Sequence, residues 1–273
     1  MKLTKRQLLM GITSWKWLVV IITTIILLGI QYKTAFFMGW NLPQPNPNFF
    51  NYMLLFSYFG RGSHLYLFVL PLLAAFFGGS VYADEKLSGR MSLLSTRVNN
   101  KEALQQSLLS GFILGGTAGL FPLVCSGVIA IIHRPHMWFV DGTLNEYNYP
   151  LIDKESWVYG FYQQNQIALM LVTFVYVFIL SGLFADIAVA VSFFTKKRYI
   201  EVIAPFVLVL ALHIIVSNST QISLYGLSHI NFLKYGVAFT DRGPNELGAA
   251  LTLPVLAGIT AVLYSRKQAQ DVL

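Results

Sequence analysis

The chain has 273 residues, of which 55% are hydrophobic and 11% charged, and its formal net charge is +7. Soluble domains carry roughly 25% charged residues, so this composition excludes an ordinary water-soluble domain. Six apolar segments approach the ~20 residues that a helix needs to cross a bilayer. They cover residues 14–38, 65–82, 104–132, 167–194, 202–216 and 248–264. The sequence therefore predicts an all-α polytopic membrane protein with six transmembrane helices, forming a single domain over residues 1–273.

Residues 1–13 precede the first apolar segment and mix apolar with basic side chains. Such a segment is typical of an amphipathic helix lying in the headgroup plane, although a solvated tail fits the same residues. A secretory signal peptide would also begin with basic residues. No small-residue cleavage pattern follows Ile30, and five more apolar segments come after, so we expect this part to be kept as a membrane helix.

The distribution of Lys and Arg predicts the orientation in the membrane. Of the 19 basic residues, 13 fall on the side of the two termini and six on the other. The positive-inside rule then places both termini in the cytoplasm, with residues 133–166 and 217–247 as extracytoplasmic connections. We expect a multi-pass protein of the cell membrane, of bacterial origin, that contacts anionic lipid and no nucleic acid.

Residues 83–103 form a charged connection between the second and third apolar segments. Written as a helix, the connection has an apolar stripe beside a basic one: Leu87, Met91, Leu94 and Val98 against Lys86, Arg90, Arg97 and Lys101. Gly89 predicts a bend before a short helix. A groove on a cytoplasmic protein would bury the apolar stripe while the basic one contacts its rim. The alternative is a loop lying on anionic lipid.

This connection resembles the one between the second and third spans of type-2 ABC exporter permeases. An acidic residue stands four positions before a glycine, followed by apolar residues and an Arg-Val-Asn turn. The matching residues are Glu85, Gly89, Leu93, Leu94, Arg97 and Val98. The six-span plan, the basic N-terminal segment and the apolar element before the last span are similar as well. One departure is that Gln105 and Gln106 stand where many relatives carry a lysine.

The resemblance implies a permease subunit for a lipid-like, peptide or hydrophobic substrate. It would act with a separate ATPase subunit, which binds ATP and Mg, and with a second permease copy in a homo- or heterodimer. The charged connection would be a coupling helix, with Glu85 and Arg97 as docking or orienting charges. Leu87, Met91 and Leu94 would form the buried contact, and Gly89 the bend. The chain itself has no G-x-x-x-x-G-K-[ST] motif, so we expect neither enzymatic activity nor a cofactor of its own.

The third apolar segment contains a stripe of small residues. Gly111, Gly115 and Gly119 recur every four residues and would form one face that another helix can approach closely. Whether that helix lies in the same chain or in a second copy is left open. Pro71, Pro122, Pro205 and Pro254 each fall inside a predicted span, where a proline kinks the helix.

Asp186 and His213 are ionisable residues inside predicted spans, and such residues often mark ion or proton routes. The alternative function is therefore an ion- or proton-coupled secondary transporter that uses both. Counted from the turn at Lys196 at 1.5 Å per residue, their depths differ by about 10 Å, too far for a direct pair. Packing roles fit both residues too, and a scaffold subunit without transport of its own is a third class.

Metal binding and covalent catalysis have little support in the sequence. His133 and His136 could share a metal ion but lack a nearby third ligand, so we expect no metal site. No H-E-x-x-H, G-x-S-x-G or Ser-Lys arrangement is present.

Overall fold

The computed structural model describes residues 3–37, 49–57, 60–89, 99–133, 152, 156–195, 199–218, 226–235 and 245–272. These residues form helices, turns and short connections, with no strand among them. Six of the helices are long and apolar enough to cross a membrane. The predicted all-α plan with six spans is therefore confirmed at the level of helix number, length and composition.

The N-terminal helix, Leu3–Ile12, precedes the first span, Lys16–Phe37. The second span has three parts: α-helix Arg61–Ala74, π-helix Ala75–Gly79 and α-helix Ser80–Leu87. The third to sixth spans are Asn100–His133, Gln166–Ser192, Ile200–Asn218 and Asn245–Val272. Short helices lie in the connections, at Phe49–Tyr52, Tyr159–Gln164 and His229–Phe232. Each of the four prolines predicted to lie inside a span does so, and a π-helical turn follows Pro71.

The second span is longer than the hydropathy pattern predicts. It extends to Leu87, so the first residues of the predicted 83–103 connection belong to the membrane helix. The third span likewise begins at Asn100 rather than after residue 103. The connection between the two helices is therefore 88–99, and residues 90–98 of it lie outside the described part of the chain.

The fourth span is the centre of the bundle and packs against the second, third, fifth and sixth spans. Small residues allow this close packing. A Cβ added at Gly111 would lie 2.8 Å from Cγ2 of Val189, and one added at Gly78 would lie 2.6 Å from the backbone nitrogen of Gly115. A Cβ at Gly119 would overlap the side chain of Ser181. Within this chain, the glycine face of the third span thus lies against the second and fourth spans.

The connections at the end of the bundle away from the N-terminal helix share one buried core. The backbone nitrogen of Tyr235 donates to the carbonyl of Leu55 at 2.9 Å, and Nε1 of Trp157 donates to the carbonyl of Phe232 at 3.3 Å. Large side chains from all three connections are buried there: Phe49, Phe50, Phe56, Tyr162, Phe232 and Tyr235. The apolar element predicted before the last span is covered by protein over its described part, 226–235.

Candidate functional site

Glu85, near the end of the second span, is only 4% exposed although it carries a carboxylate. Its Oε2 accepts a 2.8 Å hydrogen bond from Nε2 of Gln7 in the N-terminal helix. Gln7 also contacts the third span, where its Nε2 donates to Oγ of Ser107 at 3.1 Å and its Oε1 accepts from Oγ of Ser110 at 2.6 Å. One glutamine side chain therefore joins the N-terminal helix to the ends of two spans.

A second polar contact lies beside the first. Nζ of Lys16, at the start of the first span, forms an ion pair with Oδ2 of Asp84 at 2.6 Å and also donates to Oγ of Ser80. Oε1 of Gln106 accepts from the backbone nitrogen of Thr4 at 3.3 Å. Gln106 thus attaches the N-terminal helix to the third span.

Lys86 connects the second span to the fourth. Its Nζ donates to the carbonyl oxygens of Ser192, Phe193 and Thr195 at 3.1, 3.2 and 2.9 Å. The last carbonyls of a helix have no partner within the helix, and a cation there is favourable. The sequence places Lys86 in a basic stripe facing a partner's rim, whereas in the structure its ammonium group contacts the end of the fourth span.

We call this set of contacts among the N-terminal helix and the ends of the first four spans the junction; its residues are Gln7, Lys16, Asp84, Glu85, Lys86, Ser107 and Ser110. The junction adjoins the charged connection, which leaves the second span after Leu87. Leu87 is 45% exposed there. Gly89 has a φ of 71°, a conformation that glycine adopts readily, with open space around it. The chain therefore changes direction at Gly89, two residues after the helix ends, where the sequence predicts a bend.

The predicted coupling residues are distributed between this junction and the undescribed part of the connection. Of the two roles predicted for Glu85, docking or orienting, its burial beneath the N-terminal helix favours orienting. Leu87 is accessible for contact. Met91, Leu94 and Arg97 lie outside the described residues.

Sequence reasoning missed Gln7, Ser107 and Ser110 as members of the site. They are 78 to 103 positions from their partners, so no local period could relate them. The sequence contained one signal for this site: Ser107 and Ser110 are three residues apart near the start of the third span, so they lie on the same side of a helix.

Asp186 and His213 lie toward opposite ends of neighbouring spans. Asp186 precedes the last residue of the fourth span by six positions, and His213 precedes the last residue of the fifth span by five. Consecutive spans run in opposite directions, so the two side chains are separated in depth. Oδ1 of Asp186 is buried without a hydrogen-bond partner. Nδ1 of His213 lies 3.2 Å from Oγ of Ser228.

A group of basic side chains lies near His213 in the connection before the last span. Nε2 of His229 lies 3.2 Å from the carbonyl oxygen of Leu67 and therefore carries the proton. Burial lowers the pKa of His229 to about 4, so the ring is neutral at pH 7. Burial also lowers the pKa of Lys234. Within the described ranges, no group of three His, Cys, Asp or Glu residues could hold a metal ion.

Comparisons with protein-family models, with curated proteins and with solved structures found no match.

Proposed function

We propose that this chain is the membrane-spanning permease subunit of an ATP-driven ABC exporter, acting with a separate ATPase subunit and a second permease copy. The observation that carries the proposal is the junction. Directly before the charged connection, the second span is bonded to the N-terminal helix and, through Gln7 and Lys86, to the third and fourth spans. The substrate class is lipid-like, peptide or hydrophobic.

The contacts of the junction would transmit a movement of the charged connection to the neighbouring spans. Energetic coupling between distant sites is carried by packed elements and polar contacts that move together between two states. A partner that moves the connection after Gly89 would shift the end of the second span, and Lys86 and Gln7 would carry that shift to its neighbours. In this scheme both termini and the connection are cytoplasmic, where the ATPase is found.

Direct contact with the ATPase falls to the connection itself. Leu87, the last residue of the second span, is exposed directly before it, and in the sequence Met91 and Leu94 follow Leu87 at helical spacing. Arg97 would contact the rim of the partner's groove. Burying such a stripe in a groove is the usual way in which an amphipathic helix binds a partner.

The test is to purify the permease with its ATPase in lipid nanodiscs and to measure ATP hydrolysis and its stimulation by substrate. Leu94→Asp and Arg97→Glu are expected to abolish the stimulation, so that ATP hydrolysis stays at the level of the isolated ATPase. Lys33→Glu is a matched control, because Lys33 is an exposed basic residue near the end of the first span that lies away from the connection. Unchanged stimulation in both connection variants would contradict the proposal.

A second candidate is an ion- or proton-coupled secondary transporter. It is favoured by the buried, unpartnered Oδ1 of Asp186 inside the fourth span, since such a carboxylate can bind a cation or a proton. The separation of Asp186 from His213 argues against direct transfer between the two. Transport into vesicles that follows a proton gradient without ATP, and that is lost in Asp186→Asn, would support this candidate and exclude the exporter.

A further inference from the structure

A cavity of about 460 Å³ lies at the end of the bundle away from the N-terminal helix. It is formed between the start of the second span and the connection before the last span. Its wall consists of Gly60, Arg61, His64, Leu65, Phe68 and Lys234. Cavities that bind small organic molecules have volumes of roughly 300–1,000 Å³, so this one is large enough for the headgroup of a lipid.

All the ionisable side chains in the wall are basic: Arg61, His64 and Lys234. Among the described residues, neither Arg61 nor Lys234 forms an ion pair. The N-terminus of helix Arg61–Ala74 lies at the same wall, and the positive end of its dipole adds to the charge. Over the described part of the chain, the cavity therefore presents positive charge without a compensating anion.

A ligand can reach these donors. Arg61 and His64 are exposed, whereas Lys234 is half-buried. Burial lowers the pKa of Lys234, because its ammonium group loses hydration and gains no opposite charge in return. An anion bound in the cavity would offset this cost.

The donors in the wall are those that proteins use for phosphate. A guanidinium group has five N–H donors in a planar fork, an ammonium group has three, and an imidazole has at least one in either protonation state. Arginine pairs with phosphate through two parallel hydrogen bonds, and lysine binds it as a point charge. The ring of His64 packs edge-to-face against Phe68, with 5.1 Å between the ring centroids, which fixes the imidazole at the wall.

The wall changes from basic to apolar along the second span. Arg61 is the first residue of the helix, and Leu65 and Phe68 lie one and two turns further into the membrane. Leu65 is 38% exposed and Phe68 is half-buried. A phospholipid has the same order, from phosphate to acyl chain. A zwitterionic headgroup would bring its own ammonium group among the basic residues, whereas an anionic headgroup would not.

We propose that this cavity binds the phosphate of an anionic phospholipid through Arg61, His64 and Lys234. The acyl chains would pass Leu65 and Phe68. Because the donors come from the second span and from the connection before the last span, the bound lipid would join these two parts of the chain. The site is independent of the exporter proposal, since none of its residues belongs to the junction or to the charged connection.

The test compares phosphatidylglycerol with phosphatidylcholine of identical acyl chains. The delipidated full-length protein is incubated with each lipid in detergent, and the bound lipid is counted by native mass spectrometry. We expect phosphatidylglycerol to bind about tenfold more tightly, the size of one charge-assisted hydrogen bond. Lys234→Met should remove most of this preference, since methionine keeps an unbranched apolar stem without the ammonium group. Lys33→Met is the matched control and should retain it, because Lys33 is an exposed lysine near the same end of the bundle and outside the cavity wall.

Equal binding of the two lipids, or an equal loss of preference in Lys33→Met, would overturn the proposal. The source of the phosphate is tested by competition. Inorganic phosphate and glycerophosphoglycerol should displace bound phosphatidylglycerol only at concentrations far above that of the lipid. Displacement at equal concentration would identify a soluble phosphate as the occupant and would overturn the lipid assignment.

A second measurement needs no variant. Only the neutral form of an amine reacts with an N-hydroxysuccinimide ester, so a bound anion that keeps Lys234 charged and covered should protect it. The protein is acetylated in nanodiscs of phosphatidylglycerol or phosphatidylcholine, and the labelling of Lys234 relative to Lys33 is measured by peptide mass spectrometry. We expect relative labelling to be severalfold lower in phosphatidylglycerol. Equal relative labelling in the two lipids would overturn the site.

Discussion

Gln7 and Glu85 are 78 positions apart, yet Nε2 of Gln7 lies 2.8 Å from Oε2 of Glu85 and donates a hydrogen bond to it. Both side chains are buried. The contact attaches a ten-residue helix, which its sequence alone would place on the membrane surface, to the end of the second span. Because the second span ends two residues later, the N-terminal helix forms part of the junction that leads into the charged connection.

This contact predicts an energetic coupling between the two residues. Gln7→Ala and Glu85→Ala should each destabilise the protein, and the double variant should be less destabilised than the sum by about 1.5–3 kcal/mol, the usual range for a hydrogen bond to a charged group. Chemical denaturation in detergent micelles measures the three differences. Gln105→Ala, at an exposed glutamine of the third span, is the control and should change stability by less than about 0.5 kcal/mol. Purely additive effects would show that the contact is not formed.

The glycine face of the third span predicts a position-dependent effect of a single methyl group. Gly111→Ala brings a Cβ within 2.8 Å of Val189, closer than real contacts allow, and should cost about 1–3 kcal/mol by overpacking. Gly115→Ala should behave alike because the new Cβ would overlap the side chain of Ala185. Gly258 of the sixth span has nothing within 4 Å, so Gly258→Ala should be neutral or slightly stabilising. Thermal unfolding of the three variants gives the order, and an equal loss at Gly258 would contradict the packing.

His229 predicts that stability falls in mild acid. Its folded pKa of about 4 lies below the ordinary histidine value of 6.5, so between these values the unfolded chain binds a proton that the folded one does not. Stability is therefore fully present above pH 6.5 and is lost as the pH falls toward 4. At about 1.4 kcal/mol per pKa unit, lowering the pH from 7 to 5 should cost on the order of 2 kcal/mol. The slope of unfolding free energy against pH should be smaller in His229→Gln, and an equal slope would assign the effect to other groups.

The sequence predicts the number and type of the spans because each apolar segment is long and contains few polar residues. The fifth window, 202–216, is short and contains Pro205, yet the helix extends over Ile200–Asn218. Pro205 is the sixth residue of this helix, so its missing N–H removes one intrahelical hydrogen bond, and the helix nevertheless continues through it.

Hydropathy alone does not predict where the second span ends. Asp84, Glu85 and Lys86 read as a polar break, and the sequence therefore places them in the connection. Each is accommodated in the helix by a group from a distant part of the chain: Lys16, Gln7 and the last carbonyls of the fourth span. A hydropathy average over neighbouring residues does not include such distant partners. The same holds for the buried core of the connections, where Tyr235 contacts Leu55 across 180 residues of sequence.

As an exporter permease, the chain would contact a nucleotide-hydrolysing protein through the connection after Gly89. Site-specific cross-linking from Leu87 tests this contact most directly. In a Cys125→Ser background, which removes the single native cysteine, Leu87→Cys is labelled with a photoactivatable maleimide in native membranes. Leu65→Cys is the control, since Leu65 is a comparably exposed leucine, at 38%, nearer the start of the second span. We predict that Leu87→Cys, and not Leu65→Cys, becomes cross-linked to a subunit with an ATP-binding motif. Cross-links from Leu87→Cys to lipid alone would contradict the account.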